Sequence, residues 1–154
     1  MGFFDAIKGA VNAATGGGAK VAIEFSPDVI AAGDTLSVKV SVTSTGAEMK
    51  SNGIFVDLRG HEKIEYSASD QQGKHRNRTD YANTLDEAFQ IAPGIVIGAN
   101  ETKLFEGRVT VPSSAQPSYR GVRASHTWEI RGRVDTFGND PDSGFRPIRV
   151  TAKD

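Results

Sequence analysis

At 154 residues, with 18 Lys/Arg against 19 Asp/Glu and a formal net charge of −1, the chain lacks the basic excess that a bulk electrostatic grip on nucleic acid requires. It has no cysteine, which excludes thiol nucleophiles, thiolate metal sites and disulfides. A single domain of this length buries roughly 68–70% of the surface of its unfolded chain, so a hydrophobic core suffices to stabilise it.

The first segment, residues 2–14, has helical periodicity. Phe3, Phe4, Ile7 and Val11 recur at three- and four-residue spacing and define one apolar face. Asp5 near the start and Lys8 further along agree with the helix dipole. The run Thr15-Gly16-Gly17-Gly18 is expected to end this helix in a flexible joint, which divides the chain into an amphipathic helix with hinge over 1–18 and one domain over 19–154. So short a helix is marginal alone in water. Burying its four large side chains would contribute roughly 6–12 kcal/mol at ~1.5–3 each, so the face needs a cover. Three covers stay open: the end or edge of its own domain, a partner or second copy, and a membrane surface. Peripheral membrane contact is disfavoured because the polar face offers only Lys8 against Asp5. Position 6 is Ala6 where a myristoylation signal wants Ser or Thr. The N-terminus lacks the basic start, apolar run and cleavage site of a signal peptide, and no window approaches ~18 apolar residues, so a cytoplasmic location is expected.

From Ala19 the period switches to two. Val21, Ile23 and Phe25 alternate with polar neighbours, and Leu36, Val38, Val40 and Val42 form the cleanest half-buried strand. Ile54, Val56 and Leu58 follow, and Gly60 marks a candidate bulge before Ile64 and Tyr66 resume the pattern. Residues 67–85 are polar and are expected to form a long mobile loop. Short apolar pieces at 88–91 and 95–97 precede two further alternating runs, Phe105, Gly107, Val109, Val111 and Trp128, Ile130, Gly132, Val134. The turn-rich stretch 138–144 leads to a last strand with Phe145, Ile148 and Val150. Seven or eight strands with one wet face each predict an all-β, immunoglobulin-like antiparallel sandwich.

The region 112–134 resembles an arrestin-fold domain. Pro112, then Pro117-Ser118-Tyr119-Arg120-Gly121, then Trp128-Glu129-Ile130-Arg131-Gly132-Arg133-Val134-Asp135 is similar to the proline-containing turn, Pro-Ser-aromatic element and aromatic strand of that family, and Ala32-Gly33-Asp34 is similar to its entry to an early strand. The Gly2-Phe3-Phe4 start resembles the bacterial sporulation-control branch of the arrestin-like proteins. A full arrestin has two sandwiches and this chain has length for one; the family's phosphate-sensing basic residues have no matching positions here. The resemblance implies a non-enzymatic adaptor that binds proteins along strand edges and loops.

Motifs for chemistry are absent. His61, His75 and His126 are not at metal-ligand spacing, and structural hydrogen bonding is expected for each. The Asn-Asp-Pro-Asp-Ser-Gly run near 140 departs from the calcium-loop order because Gly144 comes early and no matching Glu follows; a plain loop is the simpler reading, with a weak calcium site left open. No Ser lies in a nucleophile elbow, and the glycine run lacks the G-K-[ST] of a phosphate loop. No catalytic, cofactor or metal residues are therefore assigned. The candidates for partner binding are Lys74, His75, Arg76, Arg78 and Tyr81 in the 67–85 segment, and Tyr119 with Arg120 in the turn, although a packed corner tyrosine bonded to backbone is the slightly favoured reading of Tyr119. The expected function is a cytoplasmic adaptor or regulatory module that binds another protein. Two alternatives remain: a calcium- or carbohydrate-binding sandwich using Tyr66, Trp128 or the 138–144 loop, with Trp128 in phase with the core, and a homo-oligomeric assembly component.

Overall fold

The computed structural model describes residues 14–16 and 18–154. The strands are β1 (Ala14–Gly16), β2 (Ala19–Ser26), β3 (Val29–Ala31), β4 (Thr35–Ser44), β5 (Met49–Lys50), β6 (Gly53–Ser69), β7 (His75–Pro93), β8 (Val96–Ile97), β9 (Thr102–Thr110), β10 (Tyr119–Arg120), β11 (Ala124–Asp135) and β12 (Arg146–Thr151). Seven of them have six or more residues; β2, β4, β6, β9, β11 and β12 contain the strands read from alternation. One sheet has the order β1-β2-β4-β9, the other β3-β12-β11-β6-β7 with β10 added beside β11. All pairs in these sheets are antiparallel except β12 with β3. β5 and β8 form a small ribbon of their own.

The core lies between the sheets, where the alternation placed it: Val21 and Ile23 of β2, Leu36, Val40 and Val42 of β4, Ile54, Val56 and Leu58 of β6, Trp128, Ile130 and Val134 of β11. Gly132 interrupts the β11 series for a steric reason. A Cβ there would lie 2.9 Å from Cγ2 of Val40, so the sheets approach too closely for any side chain.

Two expectations are corrected. The 67–85 segment is not a loop: β6 continues to Ser69 and β7 begins at His75, and the two strands pair through a five-residue turn. Both faces of this part of the hairpin are wet, so its sequence carries no alternation; the ladder with β6 holds it extended. Of the joint expected at 15–18, Thr15 and Gly16, with Ala14 before them, are strand and pair with Lys20, Ala19 and Val21. The helical face of Phe3, Phe4, Ile7 and Val11 lies outside the described residues.

On the outer face of β6 and β11, Asp57 is buried and accepts from Nε of Arg131 at 2.7 Å, from Nε of Arg133 at 2.9 Å and from Nη2 of Arg133 at 3.1 Å. Arg133 also donates to Asp140 at 3.1 Å, and Arg131 lies 3.6 Å from Asp142. Arg59 and Arg131 each sit 4.5 Å from the centroid of Phe145, just ahead of β12, and Arg133 lies 4.9 Å from that of Phe55. The loop 138–144 is thereby strapped against β11, its two carboxylates turned to arginines. Burial alone would raise the pKa of Asp57, but the hydrogen bonds and charges of Arg133 and Arg131 outweigh it and hold the carboxyl below its ordinary 3.8. A depressed folded pKa means stability that is fully present above the unfolded value and is lost as pH falls through the folded one. The wild-type chain is therefore expected to lose stability steeply below pH ~3.8, and Asp57→Asn to flatten that limb. At neutral pH the same substitution should cost about 3 kcal/mol, the low end for breaking a buried pair because both arginines keep some water. Thermal melts across pH, with a fall of roughly 6–12 °C at neutrality, check both statements.

Candidate interaction surface

β11 pairs β6 only as far as Ala124 opposite Ile64, while β6 and β7 continue together to Ser69 opposite His75. The last third of the hairpin is therefore a two-stranded arm beyond the sandwich. Four residues ahead of it lies a bulge between Gly60 and His61, where β7 carries one extra residue, Thr84. Glycine is required at position 60: a Cβ would lie 2.6 Å from Oγ1 of Thr84 and 3.1 Å from Cη2 of Trp128. The bulge turns Thr84 onto buried His126, with Oγ1 2.6 Å from Nε2, and the other ring nitrogen lies 3.2 Å from the carbonyl oxygen of Pro117. Trp128 meets the His126 ring edge-on and donates Nε1–H to the carbonyl of Gln116 at 2.8 Å. His126 thus joins β7, β11 and the 112–118 loop at the base of the arm.

At the tip, Asp70 Oδ1 accepts from the N–H groups of Gln72 and Lys74, both at 2.9 Å, and Gly73 takes a positive φ of 79°. Lys74 is in this turn. His75 lies 3.2 Å from the Ser69 hydroxyl, Arg76 is 3.8 Å from Asp70, Arg78 stands opposite Tyr66, and Tyr81, opposite Lys63, is 74% exposed. Tyr119 and Arg120 pair with His126 and Ser125. Tyr119 stacks on His126 with centroids 6.3 Å apart, and its hydroxyl lies 3.5 Å from a carboxylate oxygen of Glu62 rather than on backbone, which corrects half of the corner-tyrosine reading.

Tyr119 and Arg120 therefore flank the arm that carries the other candidates, but Lys74, His75 and Arg76 sit at the far tip. Sequence reasoning missed Arg123, Val122 and Ile64, and offered Tyr66 only for the carbohydrate alternative. Val122 and Arg123 form the turn between β10 and β11, where Glu65 N–H donates to the Arg123 carbonyl at 2.7 Å. Ile64 and Tyr66 are in phase with the core yet 42% and 38% exposed, because the opposite sheet does not reach them. Among the described residues, Arg78, Arg120 and Arg123 have no carboxylate partner, and no group of three or more His or acidic residues could hold a metal.

No family model matches the chain, and no curated protein matches it. Among solved structures, the chain is similar to Spo0M, the sporulation control protein from Bacillus subtilis, with a TM-score of 0.65 and 20% identity. The fold is arrestin-like. The match covers 89% of this chain and 51% of that one, so the chain spans about half the length of its structural neighbour. No helix among the described residues is long and apolar enough to cross a membrane.

Replacing His126 with alanine leaves a void, an unpaired Thr84 hydroxyl and a free Pro117 carbonyl. His126→Ala should cost about 2–4 kcal/mol in denaturant unfolding. Amide exchange should accelerate at 61–69 and 75–84 more than at 53–58, because the substitution loosens the base of the arm.

Proposed function

We propose that this protein is a non-catalytic regulatory module that takes a partner protein on the β6–β7 arm, by strand addition or contact with its exposed side chains. The observation that carries this reading is the arm itself: strands with both faces wet, open edges and exposed Tyr81, Tyr66 and Ile64, extending past the sheet that would bury them. A domain gains little stability from such a projection, whereas a free strand edge is a ready template for pairing with another chain. The fold likeness to a sporulation control protein supports a regulatory role. The bonding of the three histidines supports a structural role for each: His61 pairs with Glu129 at 2.6 Å, His126 with Thr84 and Pro117, and His75 with Ser69, so every ring links two segments of the fold.

A photoreactive amino acid at position 81 or 119 should give a cross-linked adduct of defined mass in the native cell. The same residue at position 104, on the outer face of the other sheet and 60% exposed in the parent, should not. Equal yields from all three positions, or none, would overturn the assignment of the arm.

A further inference from the structure

Beyond Ile64, β6 has a partner strand on one side only. Backbone groups alternate between the two sides of a strand. The Glu65 N–H points to the β11 side, where it reaches the Arg123 carbonyl, so the N–H and C=O of Ser67 point to the same side, where no strand follows. Two shallow recesses flank this edge. Tyr66, Ser67, Arg78 and Arg123 line one, and Lys63, Arg120, Val122 and Arg123 the other. Lys63 is neutralised by Glu65 at 2.9 Å, which leaves the three arginines without carboxylate partners around a single open edge. Val122, 96% exposed, and Tyr66 offer apolar surface beside them.

We infer that the free edge of β6 at 65–69 is the docking line for an extended acidic segment of another protein, which adds as a strand at Ser67 and sets carboxylates against Arg78, Arg120 and Arg123. This rests on the reading of the arm as the binding element and names the chemistry of its partner. Main-chain pairing supplies register and affinity, and the guanidinium groups select the sign of charge through charge-assisted hydrogen bonds. Residues 1–13 of this chain contain a single acidic residue, Asp5, so charge favours a separate protein over the chain's own N-terminus. Because the arginines are exposed, the interaction weakens as salt shortens the screening length.

The test uses the full chain, amide NMR spectra and three probes: a short capped peptide of alternating valine and glutamate, its lysine counterpart, and an oligothymidylate of similar length. The glutamate peptide is expected to shift amides at 65–69 and 120–124. Its affinity should fall about tenfold or more in the Arg78→Glu, Arg120→Glu, Arg123→Glu variant, which should instead take the lysine peptide. Ser67→Pro removes the outward N–H without touching the β7 ladder; it should abolish glutamate-peptide binding while the melting temperature stays near the parent's. No binding of the glutamate peptide, shifts elsewhere, binding indifferent to these substitutions, preference for the oligothymidylate, or a self-association that Ser67→Pro abolishes would each overturn the inference. Adducts at positions 81 and 119 without any glutamate-peptide response would leave the arm reading standing and remove only its acidic partner.

Discussion

β6 and β11 pair through twelve consecutive residues, Gly53 opposite Asp135 to Ile64 opposite Ala124, without a register shift. One face of this ladder carries Ile54, Val56, Leu58, Trp128, Ile130 and Val134 into the core, and the other carries Asp57, Arg131 and Arg133. A slip of one residue along either strand would exchange these faces, sending a carboxylate or two guanidinium groups between the sheets and the apolar set into water. The pairing is therefore specified from both sides at once. Its outer face gathers the 138–144 loop, its inner face receives β2 and β4, and its end at Ile64 decides where the sandwich stops and the arm begins.

The bulge prepares the transition from core to arm four residues before the ladder with β11 ends. Ahead of it, Gly60 leaves room for the Trp128 ring; past it, the extra residue on β7 turns Thr84 inward to His126. Without that hydrogen bond the imidazole, fully buried, would present an unsatisfied nitrogen. The bulge thus keeps a polar junction satisfied at the point where apolar packing runs out, and the β6–β7 pairing resumes past it to Ser69 and His75. Ile64 and Tyr66 continue the inner face of β6 past this junction, which is why their alternation reads as buried strand although the opposite sheet is no longer above them.

What was legible in the sequence is what rests on local pattern. The half-buried strands and the burial of Trp128 could be read because side chains of one strand record which face is dry, and the turn at 138–144 because its Gly, Asn, Asp and Pro residues are turn formers; the likeness of 112–135 to an arrestin domain is a resemblance of motif, separate from periodicity. The arm could not be read, since strands wet on both faces leave no such record and owe their conformation to a partner six to twenty-two residues away, Ser69 with His75 to His61 with Asn83. The Asp57 cluster was hidden for the same reason: its arginines were visible as a pair on one face of β11, but their counter-ion sits seventy-four and seventy-six residues earlier. Arg123 escaped notice because a single charge in a turn carries no pattern until the fold sets it beside Arg78 and Arg120.

The two long edges of the arm differ in how they are guarded. Along β7 the residues of the arm include Arg76 and Asp80, charges of both signs that discourage pairing with an arbitrary strand. Toward the end of β7 the Ile91 side chain covers Gly107 of β9 so tightly that a Cβ at 107 would lie 2.5 Å from it, which brings the other sheet up against this strand. The edge of β6 at 65–69 has neither protection. Small serines alternate there with Tyr66 and Ala68, and the charges that surround it, once Lys63 and Glu65 cancel, are of one sign. An edge flanked by mixed charges repels every strand to some degree, whereas one flanked by arginines alone repels basic strands and admits acidic ones. The asymmetry between the two edges of one hairpin is what turns a general hazard of β proteins into a selective surface.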